Sequence, residues 1–122
     1  NLMKTTYAMK LERMAEYLRA NPNVTLPSGR VISAVELAMV RIYQRQTTDE
    51  QAVAETRYDN NRGFQQRDAK FGTQIARIIM AGGRVSSWNM DRCVRMAIRY
   101  RRQLVELAEA KREKAPVTKP SA

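Results

Sequence analysis

A glycine pair followed by a long, arginine-rich amphipathic stretch constrains the fold of this chain more than any other feature. Gly82-Gly83 gives a preceding helix a place to end, and Ser86 is a typical helix N-cap residue. Apolar residues then recur at spacings of three and four as far as Ala108, which predicts one long basic helix from residue 86 to about residue 111. The start of this helix is therefore encoded in its own residues.

Four arginines lie on the side of this predicted helix that faces away from its apolar residues. Their spacings of three and four residues form one stripe, which consists of Arg92, Arg95, Arg99 and Arg102. Arg84 lies at the helix entrance, and Trp88 and Tyr100 lie near enough to stack on exposed bases. Guanidinium groups suit phosphates, and aromatic rings suit bases. We therefore expect the stripe and Arg84 to contact nucleic-acid phosphates, with Trp88 and Tyr100 as candidate stacking residues.

Length and composition predict a single helical domain. Of the 122 residues, 43% are hydrophobic and only five are glycine, a balance that favours helix over sheet. We expect an all-α fold, namely a compact bundle of about five helices with a small β-hairpin near residues 24–32. The domain is predicted to span residues 1–112, and residues 113–122 have the composition of a disordered basic tail.

Local patterns place the first elements of the fold. An amphipathic helix is predicted over Met3 to Ala20, and Asn21-Pro22 ends it. The turn Pro27-Ser28-Gly29 separates two short alternating segments, which predicts the hairpin. Arg30 in this hairpin either contacts a backbone phosphate or belongs to a structural connector.

Three more helices are predicted between the hairpin and the basic helix. Ser33 and Glu36 have the spacing of a capping box, so the second helix begins at that point. The third is predicted from residue 47 or 48 to about residue 57. Asp68 is predicted to be the N-cap of the fourth helix, which Gly82 ends.

The charge of the chain indicates a polyanionic partner. Twenty-two basic residues against twelve acidic ones give a formal net charge of +10, and histidine does not occur. Nucleic acid is the commonest polyanion for a small helical protein, so we expect a nucleic-acid-binding accessory protein. The alternative is a phage-encoded inhibitor or adaptor, such as an anti-CRISPR protein, that docks on an acidic or nucleic-acid-binding host protein surface. Composition does not distinguish DNA from RNA or single from double strands, and it leaves the oligomeric state open.

Residues for catalysis and for metal binding are scarce. The chain has no histidine, one cysteine and no paired carboxylates at a recognisable spacing, so the usual acid, base and nucleophile sets are missing. We expect no enzymatic activity, no cofactor and no metal. Cys93 is expected to be a small buried residue, and a lone cysteine favours a reducing, cytoplasmic setting. No apolar run approaches the length of a membrane span, so no membrane partner is expected.

The order of motifs between residues 59 and 105 resembles a known module. Its parts are Asp59-Asn60-Asn61-Arg62-Gly63-Phe64, Asp68, Phe71-Gly72, Gly83-Arg84-Val85-Ser86 and Arg99-Tyr100-Arg101-Arg102-Gln103-Leu104. This combination is similar to a short helical module of phage and plasmid small proteins, which also occurs at the ends of some helicase-like proteins. The resemblance implies a role associated with nucleic acid on a mobile genetic element. The residues themselves predict that Phe64 is an apolar anchor, that Phe71 is a core residue and that Gly72 lies where two helices approach closely.

Overall fold

Helix is the dominant element of this chain, as its composition predicted. The computed structural model describes residues 2–46 and 62–114. Five helices and two strands lie in these ranges: α1 (Leu2–Ala20), β1 (Asn23–Thr25), β2 (Val31–Ser33), α2 (Ala34–Gln44), α3 (Gln66–Met80), α4 (Ser87–Arg99) and α5 (Arg101–Lys114). The helix predicted at about 47–57 and residues 115–122 of the predicted tail lie outside the described residues. Residues 113 and 114 of that tail belong to α5.

The end of α1 and the hairpin follow the sequence prediction. Asn21 has a φ of 47°, a left-handed conformation that asparagine tolerates at helix ends. Its Oδ1 accepts the Val35 N–H at 2.8 Å, which ties the end of α1 to the first turn of α2. β1 and β2 pair antiparallel with Val24 opposite Ile32, so the predicted hairpin is confirmed.

Helix α2 is the central element of the fold. The predicted capping box is present, because the Ser33 Oγ accepts the Glu36 N–H at 3.2 Å and the Glu36 carboxylate accepts the Ser33 N–H at 2.9 Å. α2 packs against the other four described helices. The largest fully buried apolar side chains around it are Leu18, Ile32, Met39, Ile42, Phe64, Ile79 and Met96.

A glycine lets the segment before α3 pack tightly against the helix. A Cβ built on Gly72 would lie 2.6 Å from the ring of Phe64, a distance that no methyl group could occupy without displacing the ring. Phe64 itself is only 1% exposed. The predictions of a close approach at Gly72 and of an anchor at Phe64 are confirmed.

The turn between α3 and α4 is held by the hairpin. α3 ends near Gly82, as predicted, and the φ of 102° at this residue suits glycine. The Arg30 guanidinium donates hydrogen bonds to the backbone carbonyls of Ile79 and Gly83. Arg30 thus adds donors at the C-terminal end of α3, where the Ile79 carbonyl also accepts the Gly82 N–H at 3.0 Å, and it belongs to the structural connector.

The basic helix predicted from residue 86 to residue 111 is divided at Tyr100, so the prediction of one continuous helix was wrong. The predicted start of this helix is confirmed, because the Ser86 Oγ accepts the Asn89 N–H at 3.3 Å. Tyr100 lies between α4 and α5 with a ψ of 17°. The residue is 5% exposed, and its ring packs edge-on against that of Phe64, with the centroids 5.6 Å apart. Burial of this side chain anchors the turn between the two helices.

The prediction that Asp68 caps α3 was also wrong. The helix begins at Gln66, with Gln65 at the N-cap position and no side-chain cap. Asp68 lies in the first turn instead, where it is 5% exposed. Its carboxylate accepts the Tyr100 hydroxyl at 2.7 Å, so a distant partner determines its conformation.

Candidate nucleic-acid interface

Two contacts bring the arginines of α4 alongside α3. The Arg99 Nη2 lies 3.1 Å from both carboxylate oxygens of Asp68. The Arg92 guanidinium carbon lies 3.7 Å from the centroid of the Phe71 ring, a close cation–π contact. α3 and α4 are therefore neighbours along the edge that carries these four side chains.

A row of exposed side chains follows this edge. On α4, Trp88, Arg92, Arg95 and Arg99 are separated by four, three and four residues, so they share one side of the helix. On α3, Arg67 is exposed and lies four residues before Phe71, on the same side of that helix. We call this surface the α3–α4 face; it consists of Arg67, Phe71, Trp88, Arg92, Arg95 and Arg99.

Positive charge dominates these two helices. Together α3 and α4 carry six basic side chains and two acidic ones. The basic residues are Arg67, Lys70, Arg77, Arg92, Arg95 and Arg99, and the acidic residues are Asp68 and Asp91. Because Asp68 is buried, Asp91 is the only exposed carboxylate on either helix. An anion that approaches the α3–α4 face therefore meets a net positive field.

The arginines of the predicted stripe differ in what they contact. Arg95 is exposed and has no hydrogen bond or ion pair with any described residue. Arg92 lies on Phe71, which is half-buried against the core instead of lying within it. Arg99 is paired with Asp68, but its side chain remains 44% exposed. Arg102 is exposed on α5, the helix that begins after the break at Tyr100.

Tyr100 does not belong to this surface. Its hydroxyl donates to Asp68 and accepts the Gln65 N–H at 2.8 Å. Burial raises the pKa of this hydroxyl, and donation to Asp68 raises it further. With 5% of the residue exposed, the ring cannot stack on a base. The sequence prediction of a stacking role for Tyr100 was wrong, because Tyr100 follows Cys93 and Met96 at helical spacing on the buried side.

Arg84 has a role in the fold that the sequence analysis missed. Its Nε lies 2.8 and 3.0 Å from the two carboxylate oxygens of Glu36, whose side chain is fully buried. The Val85 N–H donates to the same carboxylate at 2.8 Å. Burial alone raises the pKa of Glu36, but these hydrogen bonds and the charge of Arg84 outweigh it and hold the pKa below its usual 4.5. Arg84 thus keeps a buried carboxylate charged.

Arg67 was not among the predicted site residues. Its own helix offered no signal, since one arginine on the exposed side of an amphipathic helix is ordinary. No local pattern could have found it, because α3 and α4 meet at this face through long-range contacts, Arg99 with Asp68 and Arg92 with Phe71.

Cys93 is buried, as predicted, and we expect its thiol to be unreactive in the folded protein. Its exposure is 0%, and burial raises its pKa to about 11, against a smaller lowering effect of Arg92. A disulfide reagent added at mildly alkaline pH should label the thiol only after denaturant unfolds the chain, because the thiolate is the reactive form. Rapid stoichiometric labelling of the folded protein would contradict this placement.

In the part of the chain that the structure describes, no three cysteine, aspartate or glutamate side chains come together in a way that could hold a metal ion. Within the same residues, no helix combines the length and apolar character that crossing a membrane requires. No protein-family model, curated protein or solved structure matches this chain.

Proposed function

We propose that this chain is a small nucleic-acid-binding accessory protein that contacts phosphates through the α3–α4 face. The observation that carries the proposal is the position of an almost fully exposed tryptophan, Trp88, in line with exposed arginines. Basic side chains supply the sequence-independent part of nucleic-acid affinity, and an adjacent aromatic ring adds base contacts. The net charge of +10 supports the same partner.

The arginines of the face would contribute in two ways. Arg92 and Arg99 are already oriented by Phe71 and Asp68. They would therefore lose less side-chain entropy on binding a phosphate than an arginine without such contacts. Arg67 and Arg95 have no ion pair with a described residue, so they are available as mobile phosphate ligands. Phosphate contacts of this kind fix position on the nucleic acid without reading its sequence.

In this role the protein would bind nucleic acid without catalysing a reaction, and it would act in the cytoplasm. The resemblance of residues 59–105 to a module of phage and plasmid proteins supports an origin on a mobile genetic element. Arg84 and Arg102 would have secondary roles, since Arg84 is occupied by Glu36 and Arg102 lies on another helix.

The second candidate function is that of an inhibitor or adaptor that docks on an acidic protein surface. The exposure of Trp88 beside arginines favours it, because tryptophan and arginine are the residues most enriched at the energetic centres of protein interfaces. Such a partner would use the same α3–α4 face, so binding measurements with nucleic acid distinguish the two functions.

We expect the double variant Arg67→Ala, Arg95→Ala to bind nucleic acid more weakly and with a flatter salt dependence. Each lost phosphate contact lowers the slope of log affinity against log salt by about 0.7 to 0.9. The double variant should therefore lose about 1.5 units of slope. Neither side chain has a hydrogen bond or ion pair with a described residue, so the fold should be retained. Fluorescence anisotropy of a labelled oligonucleotide over a salt series gives the slope.

The matched control is Arg13→Ala, Arg19→Ala on α1. Both side chains are exposed and have no ion pair with a described residue, so the control removes the same charge from another surface. Equal changes in slope for the two double variants would contradict the proposed face. Binding no tighter than that of an unrelated protein of equal charge would favour the inhibitor or adaptor.

A further inference from the structure

Trp88 is the only tryptophan of the chain and is 90% exposed. The other large apolar side chains counted as exposed, from Tyr7 to Met80, have between 39% and 53% of their surface in solvent. At 90% exposure the indole makes almost no contact with the part of the chain that the structure describes, so packing there gives no reason for it. A large apolar surface left in water beside charged groups is typical of a binding site.

Trp88 lies at one end of the arginine row. It belongs to the first turn of α4, and Arg99 ends the same helix. Eleven residues of α-helix separate them, which corresponds to about 16 Å. A strand whose phosphates follow Arg92, Arg95 and Arg99 would thus reach the indole at its end, where a base could lie on the ring.

Stacking on this indole requires an unpaired base. In a duplex each base is covered on both faces by its neighbours, and inserting an aromatic ring between them costs a few kcal/mol for every unstacked step. In a single strand the bases can turn outward, and stacking on an aromatic ring is worth about 1–3 kcal/mol for each base. We propose that the α3–α4 face binds single-stranded nucleic acid, with one base stacked on Trp88 and phosphates on the arginine row. This inference rests on the function proposed above.

The experiment compares three oligonucleotides of one sequence, each about 12 nucleotides long: single-stranded DNA, single-stranded RNA and duplex DNA. The full chain is titrated against each at low and moderate salt, and anisotropy of the oligonucleotide and fluorescence of the protein are followed together. Because the chain has one tryptophan, quenching of the fluorescence excited at a wavelength that tyrosine does not absorb reports on Trp88 alone. We expect the single strands to bind about tenfold more tightly than the duplex and to quench this fluorescence.

Substitution of the tryptophan tests the stacking directly. Trp88→Ala should weaken single-strand binding about tenfold and leave duplex binding nearly unchanged, whereas Trp88→Phe should keep part of the affinity. Since Trp88 contributes almost nothing to packing, thermal unfolding should be the same in all three proteins. Tyr17→Ala is the matched control, because Tyr17 is an aromatic residue on α1 with 45% exposure. It should not change binding to any oligonucleotide.

Each other outcome overturns a defined part of the argument. Equal binding of duplex and single strand, without quenching and without an effect of Trp88→Ala, overturns the single-strand inference and leaves nucleic-acid binding intact. If no oligonucleotide binds this chain more tightly than it binds an unrelated protein of equal charge, both the single-strand inference and the proposed nucleic-acid-binding function are overturned. An equal loss of affinity in Trp88→Ala and Tyr17→Ala would overturn the assignment of the base to Trp88.

Discussion

Glu36→Gln is expected to lower the free energy of unfolding by about 3 kcal/mol. The carboxylate is fully buried, and each of its described partners is a donor, namely the backbone N–H groups of Ser33 and Val85 and the Nε of Arg84. An amide at this position must direct its own N–H₂ group at one of these donors. The variant thus loses the charge and one hydrogen bond together. Urea unfolding at neutral pH measures the difference.

The pH dependence gives this prediction a second readout. Because the pKa of Glu36 lies below 4.5 in the fold, the stabilisation by its charged form is complete above that pH. It is lost as the pH falls through the folded pKa. The glutamine variant has no such group, so the stability gap between the two proteins should narrow in acid. Glu16→Gln, at an exposed position on α1, is the control; an equal effect at both positions would show that the buried network contributes nothing.

The helix starts that could be predicted are those encoded by neighbouring residues. Ser33 and Glu36 are three residues apart, and so are Ser86 and the Asn89 N–H that it accepts. A cap of this kind needs no information about the rest of the fold. The hairpin is similar, because its turn lies between its two strands.

The features that could not be predicted depend on partners far along the chain. Arg84 and Arg99 looked like free members of a basic surface, but their carboxylate partners lie 48 and 31 residues away. Tyr100 interrupts a stretch without glycine or proline. The buried residues before and after it, Met96 and Leu104, keep the helical spacing, so no local signal marks the break. Arg101, in contrast, has a local partner. It is half-buried, and its Nη1 donates a hydrogen bond to the carbonyl of Ile98 at 3.0 Å.

Asp68→Ala is expected to lower the free energy of unfolding by about 3 kcal/mol, the second large effect on stability. The carboxylate is 8% exposed and accepts the buried hydroxyl of Tyr100 at 2.7 Å. Without it, that hydroxyl has no described acceptor and the turn between α4 and α5 loses its anchor. Tyr100→Phe removes the hydroxyl but keeps the ring against Phe64. The double variant should therefore be less destabilised than the sum of the two single variants.

Arg99→Ala then separates the role of this arginine in the fold from its role at the interface. Its side chain is 44% exposed, so solvent screens its attraction to Asp68, and the variant should lose only about 1 kcal/mol of stability. Urea unfolding of Asp68→Ala and Arg99→Ala side by side gives the comparison. If both variants lose the same free energy of unfolding, the main role of Arg99 is its ion pair with Asp68. A phosphate would then have to displace that carboxylate in order to bind Arg99. If Arg99→Ala is nearly as stable as the unmodified chain, the donors that Asp68 does not use remain available, and the loss of nucleic-acid affinity in this variant measures a phosphate contact.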